Sequence, residues 1–179
     1  FGIETTNACN MTCKHCPRTT LMMRPVKTMS ADVFGDIVYQ LTPHSPELWA
    51  EWVAFAEKNY GIPQDEQSEN AFFLYILPRV LVLHGYGDPL LDPHIPDYVK
   101  LLTDRGIPTY FSCNPANINL VKIANTFENG LTYIKYSIDS LSSSVRGKDA
   151  FKRDYPQIMR VLEMKAKHNY ATQIIITMI

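Results

Sequence analysis

Apolar and polar positions follow two periods along this chain, and the switches between them mark its elements. Phe1 to Thr5 reads as a short strand. Ser30 can cap a helix in which Phe34, Ile37, Val38 and Leu41 fall on one face. Ser45-Pro46-Glu47 is a second start signal, an N-cap with proline at the first helical position. Trp49, Trp52, Val53, Ala56 and Tyr60 form the stripe behind it, Gly61 and Pro63 end it, and residues 62–70 read as polar loop. Val80-Leu81-Val82-Leu83 is the unbroken apolar run of a strand buried on both faces. Asp92-Pro93 opens a helix that Gly106 closes, and a strand follows at about 108–112. Next come a helix from Asn117 to about Glu128 with Gly130 behind it, a strand from Tyr133 to Ile138, a helix over 154–168 and a strand from Gln173 to Thr177.

Strands separated by helices of ten or more residues predict an α/β fold with a parallel sheet and right-handed crossovers. Five strands are legible, and residues 43–79 look like an inserted helical piece. The length of 179 residues suits one domain with a sizeable core, and 46% apolar against 20% charged residues excludes a disordered tail, a collagen or a coiled coil. A net charge of −1 supplies no basic field for nonspecific nucleic-acid binding. No run approaches 18 consecutive apolar residues, so no membrane-spanning helix is expected, and no signal-peptide pattern is seen. The chain starts at Phe1 and stops within an apolar run at Ile179, which reads as an excerpt of a longer protein.

The cysteines change the picture. Three of the four, Cys9, Cys13 and Cys16, fall within eight residues in C-x3-C-x2-C spacing directly after the first strand. Dispersed, pairable cysteines would suggest a disulfide framework; this clustering suggests a metal loop in the reducing cytoplasm. The sequon Asn10-Met11-Thr12 lies inside that loop and arises easily by chance. Structural zinc would need a fourth protein ligand, whereas a four-iron cluster held by three cysteines keeps one iron open. A three-cysteine zinc or redox site is the alternative. A second segment, Gly85-Tyr86-Gly87-Asp88-Pro89, follows the second strand. Its glycines let backbone pass close to a ligand, and Asp88 offers an acceptor or, alternatively, caps a strand-to-helix turn. Asn114 follows the third strand and Ser137 and Asp139 the fourth, so the polar candidates gather at the carboxyl ends of parallel strands, where α/β folds place their sites. Phosphate-loop, G-x-G-x-x-G and H-E-x-x-H motifs are missing.

Together the two motifs resemble the radical S-adenosylmethionine (SAM) superfamily, and the resemblance covers nearly the whole chain apart from residues 43–79. It implies a partial (βα)6 barrel truncated after about five strands, with a sixth strand beyond Ile179. It also implies a [4Fe-4S] cluster on Cys9, Cys13 and Cys16, with SAM chelating the open iron. Reductive cleavage of SAM would give a 5′-deoxyadenosyl radical that abstracts hydrogen from substrate. His15 stands where the family usually has an aromatic ring and would pack by the adenine. Gly85, Gly87 and Asp88 would hold the methionyl amine, with Asp88 at a position where Glu is more usual. Asn114, Ser137, Asp139 and Arg146 would contact the ribose or carboxylate of SAM. The resemblance further implies a peptide or small-molecule substrate and an electron donor such as a flavodoxin or ferredoxin.

The run Cys9-Asn10-Met11-Thr12-Cys13-Lys14-His15-Cys16-Pro17-Arg18 resembles the branch with a C-terminal auxiliary-cluster (SPASM-type) extension, several of whose members modify peptides or proteins. The competing reading is a non-catalytic iron–sulfur or zinc-binding domain on the same fold. Outside the motifs, His84 reads as a packed strand-end residue, Cys113 as a small buried thiol, and Met178 as core. Trp49 and Trp52 read as core or interface, and Lys148, Lys152 and Arg153 with Asp149 and Asp154 as a solvated face.

Overall fold

The structure is a computed structural model that describes residues 2–39, 46–63, 80–143 and 145–178, without the side chains of Leu48, Trp49 and Trp52. The expectations for Phe1, Leu41, Ser45, the two tryptophans and residues 64–79 lie outside the described residues. Helices α1 (Pro17–Leu21), α2 (Ala31–Tyr39) and α3 (Pro46–Tyr60) come first. The rest alternates: β1 (Leu81–Val82), α4 (Ile95–Thr103), β2 (Thr109–Cys113), α5 (Leu120–Glu128), β3 (Tyr133–Ile138), α6 (Ala150–His168) and β4 (Gln173–Met178). The strands form one open sheet in the order β1-β2-β3-β4, every pair parallel. This is the α/β architecture that the alternating pattern predicts, and it is consistent with a partial barrel.

The first segment differs from expectation. Residues 1–5 do not make a fifth strand among the described residues: a single parallel bridge joins Gly2 to Val82, with Ile3 N–H donating to the Val82 carbonyl at 2.8 Å. Beyond it the backbone turns to other partners, Met29 N–H to the Thr5 carbonyl (2.7 Å) and Asn7 N–H to the Lys27 carbonyl (3.1 Å). Backbone groups paired there cannot also extend a ladder along β1.

Helix starts also shift. Pro89–Leu91 is a 3-10 turn, and the Asp92 carboxylate accepts from His94 N–H (2.9 Å), so α4 begins only at Ile95. Asn119, whose side chain accepts from Lys122 N–H, caps α5 after another 3-10 turn at Pro115–Asn117. Helix α6 starts at Ala150, four residues early, and continues through Pro156. Asp154 is correspondingly not on a solvated face. It is fully buried, and its two oxygens accept from Arg153 Nε (2.6 Å) and Nη2 (2.9 Å).

Alternation in the strands sorts two faces. Leu81, Leu83, Phe111, Ile134, Tyr136 and Ile138 are buried beneath Ile95, Val99 and Leu102 of α4, Ile123 and Phe127 of α5, and Ile158 and Val161 of α6. Helix α2 adds Phe34, stacked on Tyr98 at 3.9 Å between centroids. The other face carries His84, Ser112, Lys135 and Ser137, all half-buried, and remains free for a site. Met178, expected in the core, is 60% exposed near the end of β4.

Candidate functional site

Backbone bonds shape the cysteine loop before any ligand is considered. Cys16 N–H donates to the Cys13 carbonyl (3.1 Å), closing a turn, and Cys16 then sits at the N-terminus of the short helix α1. Thr19 N–H reaches the Cys16 carbonyl (3.0 Å), and Arg18 Nε holds the Asn7 carbonyl (3.0 Å). On its other side the loop is tied to the segment after β3, where Lys14 N–H donates to the Val145 carbonyl (3.3 Å).

The glycine turn is locked against the same loop. Asp88 N–H donates to the Ala8 carbonyl at 2.8 Å. A Cβ on Gly87 would overlap the Thr6 carbonyl, and one on Gly85 would press on the Glu4 side chain. Gly87 is therefore needed for the chain's own backbone crossing, whereas Gly85 makes room for the Glu4 side chain. Glu4 fastens the turn from beneath, accepting from Tyr86 N–H and pairing with Arg24. The Arg24 guanidinium also lies 5.5 Å from the centre of the Tyr86 ring.

One cavity at the carboxyl ends of the strands is lined by Cys9, Cys13, Cys16, His15, Gly85, Gly87, Asp88, Asn114, Ser137 and Arg146. Of the cluster and SAM residues that the resemblance implies, only Asp139 is not at its wall. Asp139 is fully buried behind Arg146: its Oδ2 accepts from Arg146 N–H (2.9 Å), and its Oδ1 lies 3.3 Å from Arg146 Nε. It orients the arginine. The Asp88 carboxylate likewise spends its oxygens on protein, Oδ1 on Leu90 N–H (3.0 Å), Oδ2 on Asn114 N–H (3.0 Å) and Asn117 Nδ2 (2.6 Å). Asn117 in turn exchanges two side-chain hydrogen bonds with Asn10 of the cysteine loop, at 2.7 and 3.0 Å. Loop, glycine turn and the end of β2 are thus one polar assembly.

Met11, His84, Ser112, Cys113 and Lys135 also line the cavity. Lys135 carried a legible signal, a charged residue inside the strand run 133–138 and two positions before Ser137 on the same face. Cys113 is buried as expected, and burial pushes its thiol well up. His84 is half-buried, with a pKa lowered first by burial and then by the Lys135 charge.

All four cysteines are free. Burial raises the thiols of Cys9 and Cys13, with the Arg146 charge pulling Cys13 back down. Among the described residues no three His, Cys, Asp or Glu side chains already converge as a metal-ion site. The donor set suits an iron–sulfur cluster, with three soft thiols on one cavity wall, while His15 at the same wall is the donor that a Cys3His zinc shell would use instead. The buried Asn114 Nδ2, without a hydrogen-bond partner among the described residues, adds an unsatisfied donor at the same wall. No described helix is long and apolar enough to cross a membrane.

Comparison with known proteins agrees with this geometry. The profile of the Radical SAM superfamily matches residues 3–179, without singling out a branch. Similar solved structures include BtrN in complex with AdoMet and 2-DOIA, with a TM-score of 0.56 and 14% identity. Methylornithine synthase (PylB) has a TM-score of 0.55 and 9% identity, and TYW1 with a lysine-pyruvate adduct bound has 0.50 and 17%. The matches cover 99%, 90% and 95% of this chain but 55%, 40% and 51% of those chains, so the chain spans about half the length of the proteins it resembles. Comparison with curated protein sequences finds no match.

Proposed function

The chain belongs to the radical SAM superfamily, and from that premise we propose that it is the SAM-cleaving part of a radical enzyme of the oxidoreductase type. The observation that carries this reading is that Cys9, Cys13 and Cys16 share one cavity with the Gly85–Asp88 turn, Asn114, Ser137 and Arg146. Cys9, Cys13 and Cys16 would hold a [4Fe-4S] cluster. When bound, cluster and SAM supply a one-electron cleavage that yields a 5′-deoxyadenosyl radical able to take hydrogen from a substrate.

The remaining residues bind and orient. Arg146, held by Asp139, and the free amide N–H of Asn114 would donate to the carboxylate of SAM. Because the Asp88 carboxylate is committed to protein donors, the amine of SAM would find the backbone carbonyls of the glycine turn, which Asp88 holds in place. His15 would lie beside the adenine and Ser137 near the ribose. The substrate is a peptide, a protein side chain or a small molecule, and the electron donor a flavodoxin- or ferredoxin-like protein. Free cysteines suit a reducing compartment, the cytoplasm.

The test is anaerobic reconstitution of the protein in its full length. About four irons per cysteine loop should bind, and more than that would support an auxiliary-cluster extension. Replacing Cys9, Cys13 or Cys16 by Ala should abolish the cluster, whereas Cys113→Ala should keep it. Dithionite and SAM should then yield 5′-deoxyadenosine. Stoichiometric zinc without iron, or a cluster that never cleaves SAM, would instead support the non-catalytic reading.

A further inference from the structure

Lys135 lies on the free face of β3, two residues before Ser137 and therefore one layer deeper from the strand ends. Its register partner on β2 is Ser112, whose backbone N–H donates to His84 Nδ1 at 3.2 Å. That bond selects the tautomer. With Nδ1 as acceptor, the proton of the neutral ring sits on Nε2. Burial and the neighbouring ammonium both lower the His84 pKa, which keeps the ring neutral. Edge-to-face packing on Tyr110, 5.2 Å between centroids, fixes its plane.

His84, Ser112 and Lys135 line the same cavity as the cysteine loop. Among the described residues the Lys135 ammonium has neither an ion pair nor a hydrogen bond. Asp88 supplies the one carboxylate of the wall, and its oxygens are taken by Leu90, Asn114 and Asn117. The layer thus offers an ammonium, an imidazole N–H and a hydroxyl, and among the described residues no carboxylate pairs with the ammonium. A half-buried cation without an ion pair is at a disadvantage until an anion joins it.

We propose that Lys135, with His84 and Ser112, binds an anionic group of the substrate, a carboxylate or a phosphate. This rests on the reading of the cavity as a SAM site, because SAM would use the layer above, at Asn114, Ser137 and Arg146. It narrows the substrate class to acids and phosphorylated molecules. The same anion chemistry could come from the carboxylate of SAM itself, and the experiment separates the two.

Iron-free full-length protein, wild type, Lys135→Met and Lys135→Arg, is titrated with inorganic phosphate by calorimetry at constant ionic strength. Circular dichroism checks the fold, and Lys135→Gln stands in if the Met variant fails it. A hydrogen bond to a charged group predicts phosphate binding about ten- to a hundredfold weaker in Lys135→Met, with much of it retained in Lys135→Arg. On reconstituted protein, SAM should bind wild type and Lys135→Met with equal affinity and should leave phosphate in place. Equal phosphate binding by wild type and Lys135→Met overturns the proposal. Displacement of phosphate by SAM, with SAM affinity lost in Lys135→Met, also overturns it and gives the site to SAM. Lys135-dependent phosphate binding, together with anaerobic reconstitution that yields neither a cluster nor SAM binding, would sink the SAM reading alone and leave the anion site standing.

Discussion

Asp88 satisfies three donors with two oxygens while only 3% exposed. Burial nevertheless holds its carboxyl above the ordinary pKa, against the pull of those donors and of Arg146. Truncating it would leave the N–H groups of Leu90 and Asn114 and the Asn117 amide without their acceptor. Each buried donor left so costs about 1–3 kcal/mol. Asp88→Ala should therefore lower the unfolding free energy by about 3 kcal/mol or more, read by denaturant titration. It should also weaken SAM binding about tenfold or more, because the turn that presents its carbonyls relaxes. A variant with the wild-type midpoint and wild-type SAM affinity would show that the carboxylate is dispensable. Arg146 depends on Asp139 in the same manner, as a cation aimed by a buried acid behind it.

Elements bring these residues together through their ends. Each parallel strand delivers its last residues to the same edge of the sheet, and the following 3-10 turn or helix carries the chain away. Between strand ends the tolerances are tight. At Gly87 the added Cβ of alanine would overlap the backbone of Thr6, which cannot move without disturbing the bond from Asp88 N–H to Ala8. Gly87→Ala should cost at least about 1–3 kcal/mol, as forced overpacking does, and the reconstituted protein should lose iron faster on dilution. Gly35, inside α2 with nothing near its missing Cβ, supplies the control. There alanine should be neutral or stabilising by up to about 1 kcal/mol. Equal behaviour of the two variants would refute the close-approach explanation.

At the scale of the molecule, the helices cover one face of the sheet and leave the other to the site, and β4 ends the sheet. Ile175 is 44% exposed, Ile176 48% and Met178 60%, so an apolar strand presents a free edge among the described residues. Such an edge templates pairing with another chain. Residues 1–179 expressed alone should therefore self-associate at micromolar concentration in light scattering. Ile175→Lys should reduce that without changing the far-ultraviolet spectrum. Monodisperse behaviour of the unmodified fragment would show the edge to be harmless.

What the sequence determined by itself was the fold class and the gathering of the cysteine loop, the glycine turn and the later strand ends at one edge of the sheet. Hydrophobic runs of strand and helix period are local, so β3 at Tyr133–Ile138 matched to the residue, and the other strands after residue 80 came within a residue or two. The C-x3-C-x2-C spacing and the glycine turn are also local, and strand order alone predicted that their residues would meet. Only the tertiary structure decided how each residue is employed. Residues 2–6 form two isolated bridges, Gly2 to Val82 and Thr6 to Thr28, instead of a strand because residues 27–29 take up their backbone bonds. Asp154 is buried against Arg153, and Asp139 stands behind Arg146. Asn10 and Asn117, 107 residues apart, join the cysteine loop to the β2 turn. Hydrogen-bond partners across such separations leave no period in the sequence, because they are chosen by the packing that brings the loops together.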